Sequence, residues 1–203
     1  TGNSSFGYTA GGYNGSSVIS TVSRIDYSND TGTVPTKGPL SAVRYNTAAA
    51  SSRANAIPLK GPGILEVPVS FGAFSRLEPQ GIDSGYFGGG NPGGYSTVDR
   101  INYNNDTATA VVKGPLSADR TASAGTGNAN FGYFAGGISY SPTQDRSIVD
   151  RVDYSNDTGT TLARGPLSLN KYSHGGIGNV SFGYFVGGLK FPGDVHISSV
   201  DRV

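Results

Sequence analysis

One phrase returns along the chain and limits what it can fold into. Residues 149–168 read VDRVDYSNDTGTTLARGPLS, residues 23–41 read SRIDYSNDTGTVPTKGPLS, and residues 97–117 read TVDRINYNNDTATAVVKGPLS. A second phrase, G-Y-x-x-G-G, fills 7–12, 85–90, 132–137 and 183–188, always in the same order relative to the first. Such self-similarity means one supersecondary unit repeated, each copy burying its apolar side against its neighbours. Successive starts of the second phrase lie 78, 47 and 51 residues apart, so the first interval holds extra chain. That extra stretch, residues 51–84, reads either as a decayed partial unit or as an insertion.

The spacing separates framework from variation. Asp26 to Lys37, Asn102 to Lys113 and Asp153 to Arg164 are each 11 residues, and Gly114 to Gly132 and Gly165 to Gly183 are each 18. From the last glycine of G-Y-x-x-G-G to the matching Ile25, Ile101, Val152 or Val203 the distance is instead 13, 11, 15 and 15, with different residues each time. Variable connections on a constant scaffold are where binding usually resides.

Within a unit the pattern predicts four short strands, at 181–186, 148–154, 159–163 and 171–177, bounded by Gly, Pro and Asx turns. No window carries a capped apolar stripe at helical spacing, and Gly and Pro interrupt each candidate. The expected fold class is therefore all-β, built of propeller-type blades: four-stranded antiparallel units of about 50 residues, about three and a half of them plus the insertion. Their bounds are about 1–50, 85–130, 131–180 and 181–203, within a single domain or a piece of a larger one.

Composition narrows the function classes. Charged residues are 14% and the net charge is +1, which gives no electrostatic footprint for nucleic acid or an anionic membrane. There is no Cys, hence no disulfide, thiolate nucleophile or thiolate metal site. No apolar run reaches the length of a membrane span, and a soluble protein is expected.

The succession resembles the kelch repeat: an inner strand opened by a basic residue (Arg44, Arg120, Lys171), an aromatic strand closed by two glycines, a strand ending in Asp-Tyr or Asn-Tyr, a polar turn and a last strand. It departs from that pattern in having no Trp. The wording FGYF.GG, DYSNDT and KGPLS is also similar to repeats in virion proteins of phages that infect marine bacteria, over most of the chain outside 51–84. These resemblances imply a virion or extracellular surface location and partners that are copies of the chain or other appendage proteins.

Asp30 and Asp157 stand in S-x-D-x-G, similar to the Asp-box hairpin, and Asp106 in a copy where Ala108 replaces the Gly; all three are expected to be structural turn residues, since Asp and Ser side chains bond nearby backbone N–H groups. The N-D-T sequons at Asn29, Asn105 and Asn156 are read the same way. Arg24, Arg100, Arg151 and Arg202 are expected to pair with Asp or Asn of their own strand or of the next blade, because an unpaired buried charge is too costly to keep. Alternation of antiparallel connections puts the variable connections and the K/R-G-P-L-S turn at one end of the sheets and the SND turn at the other. By resemblance to kelch propellers, ligand-binding residues are then expected at Tyr13, Asn91, Tyr95, Tyr140, Gln144, Lys190 and Phe191. Arg44, Arg120 and Lys171 would add positive charge near a central channel.

No catalytic set emerges. The two His, His174 and His196, lie on different elements, and no P-loop, G-x-S-x-G or H-E-x-x-H is present. A galactose-oxidase-like copper site would need Cys, and a sialidase-like site would need arginines away from the repeat positions where they sit. The expectation is a non-enzymatic adhesion or structural protein without metal or cofactor, whose loops bind a host receptor, with glycan as the ligand class. The alternative is a purely architectural assembly protein.

Overall fold

Aromatic and β-branched residues alternate with glycine in short runs, and each run is stopped by a Gly pair or an Asx turn, so the chain makes strands too short to stand alone. The computed structural model describes residues 1–3, 5–52, 83–140, 142–179 and 181–203. Among these the chain is all-β apart from a 3-10 turn at Tyr103–Asn105. Sheet I contains β1 (Phe6–Tyr13), β2 (Val18–Asp26) and β3 (Thr36–Lys37); sheet II contains β4 (Ala48–Ser51), β5 (Ser84–Gly88), β6 (Val98–Asn102) and β7 (Val111–Lys113). Sheet III is β8 (Ala124–Gly127), β9 (Phe131–Ala135), β12 (Val149–Asp153) and β13 (Leu162–Arg164), with the hairpin β10 (Ile138–Tyr140) and β11 (Thr143–Asp145) set into it. Sheet IV is β14 (Gly175–Gly178), β15 (Gly183–Val186) and β18 (Val200–Arg202), with the hairpin β16 (Leu189–Lys190) and β17 (Val195–His196).

All pairings are antiparallel and share one register. The tyrosine of the aromatic strand lies across from the arginine of the following strand in every sheet: Tyr8↔Arg24, Tyr86↔Arg100, Tyr133↔Arg151 and Tyr184↔Arg202. Period-two alternation then sends neighbouring residues to opposite faces, so each sheet presents one apolar set forward and another backward. Tyr8, Val22 and Leu40 meet Phe87, Ile101, Tyr103 and Ala110 between sheets I and II. Tyr86, Val98 and Leu116 meet Phe134, Val152 and Tyr154 between II and III. Ala124, Ala135, Val149 and Leu167 meet Phe185 between III and IV. The core is thus a series of boundaries, one per pair of sheets.

The innermost strands converge, which decides their composition. A Cβ on Gly125 of β8 would strike the Ala49 carbonyl of β4, and one on Gly176 of β14 would strike the Gly125 carbonyl. Only Ala, Ser, Thr and Gly fit, with Ile177 as the exception on the outermost of the three. This also corrects the expected inner strand at 171–177: it runs Gly175–Gly178, because Lys171 is buried elsewhere and Ser173 turns with φ 50°. The expectation for 51–84 falls, apart from its first and last two residues, outside the described residues.

Candidate functional site

The charged residues of the framework come first, since what they touch decides what remains for a ligand. The turn is clipped by Asp26, Asn102 and Asp153: the backbone N–H groups of Ser28, Asn104 and Ser155 each donate to that side chain at 2.9 Å. The Ser28 hydroxyl and N–H hold the Asp26 carboxyl below its usual range, and Ser155 does the same for Asp153. Asp106 and Asp157 do something else. Asp106 accepts from the Tyr8 hydroxyl at 2.9 Å and pairs with Arg24 at 2.9 Å and Lys37 at 3.3 Å, all in the preceding sheet. Asp157 repeats this with Tyr86 at 2.9 Å, Arg100 at 2.8 Å and Lys113 at 3.0 Å.

Each acid is therefore an inter-sheet clasp rather than a hairpin clip, which differs from the sequence expectation. Burial works against the charge of Asp106, but the Tyr8 hydroxyl, Lys37 and Arg24 outweigh it and hold its carboxyl below the usual range. Beside the acid, Tyr103 stacks on Tyr8 with ring centroids 4.7 Å apart, and Tyr154 stacks on Tyr86 at 4.8 Å. Arg24 and Arg100 pair across to the next sheet as expected. Arg151 and Arg202 make no ion pair among the described residues and instead lie over the rings of Phe131 and Phe182, at 4.2 and 4.8 Å.

Arg44, Arg120 and Lys171 are buried, with Arg120 and Lys171 at 0% exposure. Arg44 pairs with Asp99, Arg120 with Asp150, and Lys171 with Asp201 at 2.8 Å. The same carboxylates accept the backbone N–H of Ser41, Ser117 and Ser168, the serine of the K/R-G-P-L-S turn. These three cations knit each crossing segment to the sheet it enters and leave no free positive charge toward a channel. The space between the inner strands is a cavity of about 140 Å³ lined by small residues, among them Thr1, Ser51, Thr126 and Gly176.

The remaining candidates sit on the variable connections, which the double glycine launches. Gly11 and Gly89 both have φ +70°, and a Cβ there would collide with the carbonyl oxygens of Arg44 and Arg120 in the next sheet. The second glycine donates its N–H to the same carbonyl, Gly12 to Arg44 at 2.8 Å, Gly90 to Arg120 at 2.9 Å and Gly137 to Lys171 at 2.9 Å. Past this anchor the third and fourth connections fold back as the hairpins β10–β11 and β16–β17, which the sequence reading left as loops.

Tyr13, Tyr140 and Phe191 project from the first, third and fourth connections, 62%, 48% and 38% exposed. Gln144 and Lys190 are exposed on the same two hairpins. Phe191 N–H donates to Asp145 at 3.1 Å, which ties the third connection to the fourth. Asn91 and Tyr95 behave differently. Asn91 is buried and its backbone pairs in both directions with Tyr45, while half-buried Tyr95 bridges to Arg120. The structure thus assembles Tyr140, Gln144, Lys190 and Phe191 on linked hairpins and turns Asn91 inward.

Sequence reasoning missed Tyr172 and Asp194, whose hydroxyl–carboxylate hydrogen bond braces the fourth hairpin and pushes the Tyr172 hydroxyl up to about 12. Nothing in the spacing marks that pair, because Asp194 lies inside a connection with no counterpart elsewhere. Among the described residues no group of three or more His, Cys, Asp or Glu is placed to hold a metal ion. No protein-family model matches the chain, and no curated protein matches it.

Proposed function

We propose that the chain is a non-enzymatic recognition protein of a virion or cell-surface appendage, in which kelch-like propeller blades carry variable loops that bind a host receptor of the glycan class. One observation carries this reading: on three of four variable connections an aromatic ring stands exposed on a braced turn, while Arg44, Arg120 and Lys171 are committed to internal pairs. Rings of this kind suit the apolar faces of sugars, and Gln144 and Lys190 beside them offer hydrogen bonds to hydroxyls. A glycan array probed with the chain and with a Tyr140→Ser/Phe191→Ser variant tests it. Binding to a defined glycan set, reduced at least about tenfold in the variant at equal thermal stability, supports the proposal. Binding that the variant retains, or none by the parent chain, overturns it.

A second reading, an architectural part that assembles with copies of itself, is favoured by a different observation: the outward face of sheet IV is apolar and exposed.

A further inference from the structure

We infer that the chain associates head to tail with a second copy of itself, sheet I of one molecule covering the open face of sheet IV in the next. This rests on the architectural reading and is independent of glycan binding. The open face carries Ile177, Tyr184, Val186, Val200 and Arg202. Val22, Val98 and Val149, the counterparts of Val200, are each 0% exposed under the sheet that follows them, whereas Val200 is 62% exposed and Ile177 and Val186 are exposed with it. An apolar patch of this kind marks an interaction surface.

The molecule itself shows what covers such a face. At two boundaries the following sheet brings a tyrosine and, three residues later, an acid: Tyr103 stacks on Tyr8 with Asp106 on Arg24, and Tyr154 stacks on Tyr86 with Asp157 on Arg100. One further copy of that donor set, Tyr27 with Asp30, is exposed at the outer side of sheet I and has no such partner among the described residues. The receiving half is on sheet IV, where Tyr184 and Arg202 are cross-strand neighbours in the register of Tyr8 and Arg24. Charge and shape therefore match in the order already used twice inside the chain.

Sheet I also departs from its siblings on that side. Thr9 stands where Phe87, Phe134 and Phe185 pack on the preceding sheet, and Ser23 stands where Asp99, Asp150 and Asp201 hold a buried cation. The contact between copies is accordingly less apolar than the internal boundaries, and reversible. It uses different surfaces on the two molecules, so it repeats until it closes into a ring or runs on as a filament.

Sedimentation of the 203-residue chain across concentration and salt tests this, with circular dichroism confirming that each variant folds. The parent chain is expected to gain mass with concentration and lose it with salt. Asp30→Arg alone and Arg202→Glu alone are expected to stay monomeric, each bringing like charges together. Mixing the two, or combining both changes in one chain, is expected to restore association, since every contact then joins opposite charges. A parent chain that is monomeric at all concentrations, association that either single reversal leaves intact, or a mixture that stays monomeric would each overturn the inference. None of these readouts involves a glycan, so their failure and that of the receptor reading are separate results.

Discussion

Two neighbouring boundaries follow one plan and are finished to different degrees. Between sheets II and III every feature is present: apolar side chains interlock, Tyr154 stacks on Tyr86, Asp157 gathers Tyr86, Arg100 and Lys113, and Gly114 donates to the Asp157 carbonyl at 2.8 Å. Between III and IV the inner half is equally complete, with Phe185 buried under Val149 and Leu167 and Gly137 bonded to Lys171. The outer half is not: Tyr133, Arg151 and Arg164 receive no clasp from sheet IV among the described residues, and nothing lies within 4 Å of the Cβ position of Gly165. The acid at the II–III boundary adds a second layer of fixation, at the other end of the sheets from the glycine anchor.

The largest expected effect breaks the complete boundary at its acid. Asp157→Ala leaves Arg100 and Lys113 without their counter-charge and the Tyr86 hydroxyl without its acceptor, which costs on the order of 3–5 kcal/mol, whereas Asp30→Ala, with nothing to release at low protein concentration, stays within about 0.5 kcal/mol of the parent. Urea unfolding of both variants measures the difference, and equal midpoints would refute the clasp.

A smaller contrast uses matched glycines. Gly114→Ala drives a methyl into the Gly159 carbonyl oxygen and should cost about 1–3 kcal/mol. Gly165→Ala meets open space and should be neutral or stabilising by up to about 1 kcal/mol. Thermal melts of the pair decide it.

The smallest effect sharpens the III–IV boundary through pH. His174 lies edge-on to Phe185 at 5.8 Å, and both ring nitrogens are buried without a hydrogen-bond partner among the described residues. Burial first, and then the charge of Lys171 over the opposing pull of Asp201, lowers its pKa from 6.5 to about 4. The fold therefore favours neutral His174, and the unfolded chain binds more protons between those values. Its contribution is intact above about pH 6.5 and is lost as pH falls toward 4, ahead of the carboxylates. A His174→Leu variant should flatten that part of the stability–pH curve; an unchanged slope would show that His174 is not the group responsible.

How much was legible follows from where each partner lies. Strand order and the all-β class were readable, because the 11-residue spacing sits inside one unit and the 18-residue spacing fixes the step to the next. The exposed rings Tyr13, Tyr140 and Phe191 were readable too, since variation in length pointed to their connections. The role of Asp106 and Asp157 was not, since their partners belong to the preceding unit, and spacing within a repeat cannot show a bond between repeats. For Arg44, Arg120 and Lys171 a signal did exist. Asp stands at 99, 150 and 201, in the three units whose inner strand follows a basic residue, while Ser23 stands at that place in the first unit. Matching those two columns predicts the buried pairs. Asn91 misled because its residue type suits a binding loop, while its backbone pairing with Tyr45 turns it inward.

The glycine anchor has an evolutionary consequence. Gly12, Gly90 and Gly137 bond to the next sheet through main-chain N–H groups alone, and the strands beginning at Val98 and Val149 keep their register beyond the connection, so neither flank depends on the side chains between them. The interval is an exchangeable cassette. Recombination or slippage between the glycine pair and the returning valine can replace its content and length while both flanking anchors stay in place, with only local pairs such as Asn91 with Tyr45 and Asp194 with Tyr172 lost, so these connections can diversify while the scaffold around them stays unchanged.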